Sequence, residues 1–236
     1  MKTIFLSPSD LAFLLDESPW GFYQKYNLGI KRPPVILPKI FTLIDVLTKA
    51  SYLETNLSDI DKSLPNAILV DADKWVKSKP IVNPDFPDFE IIIRGKIDGI
   101  LKYDDGTNSV IDFKTCEISE KVLAKYVRQL SSYSYAITNP FSDADLSMNL
   151  RNEVGLFVFE PDKFYIDYNS KAGLKGKFKY INFEIDLNDF ENYIKTEVIP
   201  LIAGKEPAPS DADSCWVYLK QFGFEYEEDW CRSVQY

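Results

Sequence analysis

Two carboxylates and an ammonium on neighbouring strands could hold a divalent cation against a phosphate, and the stretch from Arg94 to Thr115 has the residues for it. Ile97, Gly99 and Leu101 alternate with Lys96, Asp98 and Ile100; Ile111 and Phe113 alternate with Val110, Asp112 and Lys114. Asp104-Asp105-Gly106 between them is a hairpin signal. A turn centred on Asp105 sets Asp98 opposite Asp112 and Lys96 opposite Lys114 on one face, and turns Ile97, Ile111 and Phe113 into the core. Directly opposed antiparallel residues have Cβ atoms roughly 4.5–5.5 Å apart, so the two carboxylates repel unless something positive lies between them. Mg2+ accepts one or two carboxylates and leaves positions for water and phosphate oxygens. The pattern therefore points to metal-assisted chemistry on a phosphate, against the plainer alternative of a solvated charged hairpin.

Gly95-Lys-Ile-Asp98, Ile111-Asp-Phe-Lys-Thr115 and Gln129-Leu-Ser-Ser-Tyr133, in that order and spacing, resemble motif II, motif III and the Q-x-x-x-Y motif of RecB-like nucleases in the PD-(D/E)XK superfamily. Ser7-Pro-Ser-Asp-Leu and Ser18-Pro-Trp-Gly-Phe-Tyr resemble the opening helix of these nucleases more weakly, so the likeness covers most of residues 5–140. The resemblance implies a restriction-endonuclease-like α/β fold, an α+β mixed sheet with core order α-β-β-α-β flanked by helices. It also implies a catalytic set of Asp98, Asp112, Lys114, Gln129 and Tyr133. Asp98 and Asp112 would bind Mg2+ or Mn2+, with the Phe113 carbonyl completing the site. Lys114 would orient or activate water and stabilise the pentacoordinate phosphorus, while Gln129 and Tyr133 help hold DNA or the site.

Two departures shape the expectation. Some relatives bind an iron–sulfur cluster through four cysteines, but this chain has only Cys116, Cys215 and Cys231, with Ser18 in the early cysteine's place, so no iron–sulfur cluster is expected. Many relatives add a histidine ligand ahead of the hairpin, and this chain has none. Asp45 is the candidate for that acidic position, although Asp45 and Lys49 also have the i,i+4 spacing of a surface ion pair.

Composition bounds the rest. At 236 residues, with 45% hydrophobic residues, 16 Phe and 14 Tyr, the chain can bury a core as one domain, residues 1–236. The core is expected at about 38–160, with a hairpin, helix and cap over 161–236. No apolar run is long enough for a signal peptide or a membrane span, and three scattered cysteines make no disulfide framework, so a cytoplasmic protein without a membrane partner is expected. A net charge of -9 argues against a protein that coats DNA indiscriminately. No histidine means no histidine general base, and no G-x-x-x-x-G-K-[ST] means no P-loop motor, so translocation would come from a partner.

Along the chain, Ser7 should cap a helix running to Pro19, followed by a core aromatic group of Trp20, Phe22, Tyr23 and Tyr26. Lys31-Arg-Pro-Pro reads as a connector, and Pro38 should open a helix whose Ile40, Phe41, Ile44, Leu47 and Tyr52 form an apolar face. Residues 55–88 read as loop with a short helix around Ala72 to Lys77, before a strand entered by Glu90. Ser119 should cap a helix to about Ile137 carrying Gln129 and Tyr133 one turn apart, with a buried strand over 154–159 beyond it. Phe164-Tyr-Ile-Asp-Tyr and Phe178-Lys-Tyr-Ile-Asn-Phe-Glu-Ile flank a basic hairpin tip of Lys171, Lys175 and Lys177, the expected DNA-backbone contact beside Lys96. Asp186 or Asn188 should start a final helix, and 208–216 with the acidic aromatic tail would form a peripheral cap.

The expectation is a metal-dependent deoxyribonuclease of exonuclease type acting on DNA, single- or double-stranded, in repair, recombination or phage and defence processing, with a helicase or recombination protein as partner. The alternative is a non-catalytic nucleic-acid-binding or scaffold subunit that keeps the nuclease fold.

Overall fold

The computed structural model describes residues 1–30, 38–71, 73–115, 119–166 and 171–213. The Lys31-Arg-Pro-Pro connector, the three cysteines and the C-terminal tail lie outside the described residues. Strand β1 (Lys2–Leu6) leads into a π turn, Asp10–Leu14, and its continuation α1 (Leu15–Glu17). Pro19 does not simply end that helix: Ser18 caps a new one, α2 (Pro19–Asn27), accepting from Gly21 N at 2.7 Å, and Pro19 fits its first position because that N–H has no intrahelical acceptor. Trp20, Phe22 and Tyr23 are buried, as their aromatic clustering predicts.

Helix α3 (Lys39–Tyr52) and the turn α4 (Leu57–Ile60) precede strands β2 (Ala67–Asp71), β3 (Trp75–Lys77), β4 (Ile81–Val82), β5 (Phe89–Lys96), β6 (Gly99–Tyr103) and β7 (Asn108–Thr115). The short helix expected around Ala72 to Lys77 is instead β3, because Trp75, Val76 and Lys77 pair with Lys96, Gly95 and Arg94 of β5. Helix α5 (Glu120–Thr138) then leads to the long strands β8 (Leu150–Ile166) and β9 (Ala172–Glu184), followed by α6 (Leu187–Tyr193) and α7 (Ile199–Ala203). The Asp186 carboxylate caps α6, accepting from Asn188 N and Asp189 N.

These elements form two mixed sheets. One has the order β1-β5-β3, with β4 also on β5; the other runs β2-β6-β7-β8-β9. Strand β8 lies parallel to β7 and antiparallel to β9. A parallel neighbour needs a crossover, and α5 supplies it, packing Leu130, Tyr133 and Ile137 into the core with Val110, Val154 and Leu156.

The hairpin register agrees with a turn centred on Asp105, since Gly99 faces Ile111 and Leu101 faces Ser109. Gly106 closes that turn at φ +79°, a left-handed conformation that glycine adopts without steric cost. The pairing of Lys96 with Lys114 is not observed. The chain leaves one sheet at Lys96 and joins the other at Gly99, and Ile97 N donates to Lys74 O at 2.8 Å across the bend. Lys96 is therefore opposite Trp75.

Two other expectations are corrected. The apolar face of α3 enters the core only at its end: Ile40, Phe41 and Leu47 are exposed, while Tyr52 is buried, as is Lys49. Lys175 and Lys177 are not at a hairpin tip either, because β9 begins at Ala172 and places them opposite Lys163 and Glu160, along the arm. No helix among the described residues is long and apolar enough to cross a membrane.

Candidate functional site

The bend between the sheets and the adjoining strand β7 bring Asp98, Asp112 and Lys114 together. Phe113 N donates to Asp98 Oδ2 at 3.3 Å, which fixes Asp98 beside β7 although the ladder begins at Gly99. Asp112 is only 2% exposed, so this carboxylate is not on the solvated face that strict alternation implies. Asp112 shares its face of β7 with Val110, which packs with Tyr126, Leu130 and Tyr133 of α5, so α5 lies over that position and shuts out water. Lys114 reaches back to Asp112 Oδ2 as an ion pair, and its ammonium lies 5.3 Å from the Tyr126 ring. That oxygen is nonetheless buried without a hydrogen bond of acceptable geometry.

Burial, together with the charge and contact of Asp98, pushes the Asp112 carboxyl up to about 8 against the pull of Lys114. Asp98 moves the other way. Burial opposes its ionisation, but its contact with Asp112 and the charges of Lys114 and Lys49 hold it below the usual carboxylate range. Two neighbouring carboxylates thus divide into one proton holder and one anion. Lys114 is held above its ordinary value, since Asp112 and Asp98 outweigh the burial that would discharge it. It is a standing positive charge.

Sequence reasoning treats Lys49 as one end of a surface pair, and the structure gives it a larger part. It is 6% exposed, with its ammonium 2.8 Å from Asp98 Oδ1, 2.9 Å from Asp45 Oδ2 and 3.4 Å from Asp73 Oδ1. Burial opposes its charge, but Asp98 and Asp45 raise it, so the ammonium persists. The i,i+4 spacing could have identified the Asp45 contact, but no sequence signal identifies Asp73. That residue adopts φ +60°, and its carboxylate also takes Lys96 Nζ at 3.2 Å.

Gln129 and Tyr133 arrive from α5. A side chain at residue 95 would place Cβ 2.9 Å from Tyr133 Cε1, so Gly95 is what lets that ring lie on β5. Burial raises the Tyr133 hydroxyl, a contact with Gln129 lowers it, and Asp112 and Asp98 raise it again, which marks the phenol as a neighbour of the acidic pair. Gln129 reaches Ser9 Oγ at 3.5 Å through Nε2, while its buried Oε1 has no hydrogen-bond partner. The side chain of Phe113 packs on Phe157 with ring centroids 5.4 Å apart.

The structure thus gathers Asp98, Asp112, Lys114 and Tyr133, joins Asp45 to them through Lys49, and leaves Lys96 at the rim through Asp73. Lys175 makes its contact along the β8–β9 arm, 5.1 Å from the Tyr165 ring, Lys177 belongs to the same arm, and Lys171 immediately precedes β9. Among the described residues no group of three or more His, Cys, Asp and Glu side chains stands ready to hold a metal ion. What the site offers a hard divalent cation is the Asp98–Asp112 pair of carboxylates, whose buried Asp112 Oδ2 a cation would share with Lys114, and two carboxylates fit a cation that keeps water and phosphate oxygens in its other positions.

No protein-family model and no curated protein matches the chain. It is similar to a solved structure described as the crystal structure of SSO0001, over 84% of this chain and 75% of that one, at 14% identity and a TM-score of 0.38.

Proposed function

We propose that the chain is a Mg2+- or Mn2+-dependent nuclease of restriction-endonuclease-like fold that hydrolyses phosphodiester bonds in DNA. The observation that carries this reading is the meeting of Asp98, Asp112 and Lys114 at one point, with the Asp112 carboxyl driven toward protonation by burial and by the neighbouring Asp98 despite the Lys114 ammonium. The order of helix α3, strands β6 and β7, helix α5 and strand β8 supports the fold assignment.

Asp98 and Asp112 would hold the cation, and the chemistry such a cation supplies when bound is polarisation of a phosphoryl oxygen and a lowered water pKa. Lys114 keeps its proton, so its role is to donate to a phosphoryl oxygen and stabilise the charge that grows there. Tyr133 and Gln129 flank the site from the α5 side, and the buried Gln129 Oε1 can accept from a water or substrate. Burial beneath α5 keeps Asp112 in a medium where charges act strongly.

One observation favours a non-catalytic nucleic-acid-binding or scaffold subunit instead: Lys49 and Lys114 already compensate Asp98 and Asp112. Cleavage of end-labelled DNA with Mg2+ or Mn2+ separates the two. Asp112→Ala and Lys114→Ala should each lose roughly a hundredfold or more in rate. No cleavage with any metal, and no heat of Mn2+ binding on titration, would establish the non-catalytic subunit.

A further inference from the structure

Strand alternation places Phe5 of β1, Arg94 and Lys96 of β5, and Trp75 and Lys77 of β3 on one face of the smaller sheet, while Ile4, Leu6, Ile91, Ile93 and Val76 face the core. On the outer face, rings and cations form an unbroken series. Lys77 Nζ lies 3.1 Å from the centroid of Phe141 and 5.6 Å from that of Phe5; Arg94 Cζ lies 5.8 Å from Phe5 and 5.4 Å from Trp75. The three rings are 46%, 48% and 63% exposed for Phe141, Phe5 and Trp75. Large aromatic rings left in water side by side mark a binding surface rather than a core.

We propose that this face is a binding platform for single-stranded nucleic acid. Bases have π-faces that stack on exposed rings, and their phosphates pair with the cations that lie over those rings. A duplex hides its base faces in its own stack, so the rings select an unpaired strand. In a chain of net charge -9, a stripe of Lys77, Arg94 and Lys96 is a local exception that suits an anionic polymer. Glu90 on the same face is engaged by the Thr3 hydroxyl at 2.5 Å. The stripe also leads to the acidic site, because Lys96 meets Asp73, Asp73 meets Lys49, and Lys49 meets Asp98. The platform's chemistry depends on these sheet residues alone; its use in feeding a strand to the site rests on the nuclease reading.

The test is fluorescence anisotropy of a labelled oligothymidylate of about 20 nucleotides with the full chain in EDTA, paired with hydrolysis of bis(p-nitrophenyl) phosphate in Mn2+. Trp75→Ala and Phe5→Ala should each weaken binding roughly tenfold, with Trp75→Phe staying within about threefold of wild type. Arg94→Gln should lower the slope of affinity against salt by about 0.7. All four should hydrolyse the small ester as wild type does. The platform is overturned if wild type does not bind, if both alanine variants bind undiminished, or if a duplex competes as well as the single strand. It is also overturned if Trp75→Ala abolishes a dimer while leaving binding intact, which makes the face a contact between copies. Ring-dependent binding without ester hydrolysis would sink the nuclease reading and keep the platform; ester hydrolysis with ring-independent binding would do the reverse.

Discussion

Helices α3 and α5 both pack against β7, but they are held to it differently. Helix α5 buries Tyr126, Leu130, Tyr133 and Ile137, whereas α3 leaves Ile40, Phe41, Leu43, Val46 and Leu47 exposed and buries Lys49 and Tyr52. Tyr52 anchors the end of α3, 4.9 Å from Phe157 and 5.5 Å from Phe178, and Lys49 ties the turn before it to Asp98. The difference teaches that one wall of the pocket is set by apolar packing, which ignores pH and charge, and the other by ion pairs, which do not.

The largest expected contrast is in stability. Leu130→Ala, at a position with no exposed surface, should cost about 2–5 kcal/mol in denaturant unfolding. Leu47→Ala, at 56% exposure on α3, should stay within about 0.5 kcal/mol. Equal losses would mean that α3 packs like α5.

Next in size is the charge tether. Lys49→Ala strips a buried cation from Asp98, and breaking such a pair is expected to cost about 3 kcal/mol, less whatever water recovers at the partly open Asp45 and Asp73. Hydrogen exchange should accelerate over residues 39–52 and hardly change over residues 120–138. Uniform acceleration would show that the tether holds the whole fold rather than one helix.

The same contrast sets a pH dependence. The Asp112 carboxyl rises from its ordinary 3.8 to about 8 on folding, so between those values the folded protein keeps a proton that the unfolded chain has lost. Its contribution is fully present below about pH 4, declines as pH rises, and is gone above about pH 8. Melting temperatures across that window should fall with pH in the wild type and flatten in Asp112→Asn. Mg2+ should raise the melting temperature most at the alkaline end, where both carboxylates are ionised. A metal effect independent of pH would speak against binding at this pair.

The smallest effect belongs to the hairpin that sets the register of β6 on β7. Gly106→Ala forces a left-handed backbone on alanine and should cost about 1 kcal/mol in thermal unfolding without altering either helix.

Much of the site was legible from local pattern. Alternation and Asp-Gly predict the β6–β7 pairing, and helical spacing predicts a helix from Ser119 to about Ile137, found as α5 over Glu120–Thr138, because period and turn chemistry are properties of a few neighbouring residues. Lys96 is misplaced by alternation because nothing local announces that a continuous extended stretch leaves one sheet for another at Ile97 and Asp98. Strand β3 was misread for a related reason: three residues form a strand only when Gly95 and its neighbours are there to pair with.

The amino-acid sequence alone pointed to which groups could do chemistry, since alternation and a two-sided turn bring Asp98, just before β6, close to Asp112 and Lys114 of β7. Only the tertiary structure decided their charge states and company. Burial beneath α5 turns Asp112 into a proton holder, and helix α3 and the loop before β3, remote in sequence, bring Lys49 and Asp73 to Asp98. Desolvation and ion pairing depend on distance in space, and spacing along a chain carries no record of it.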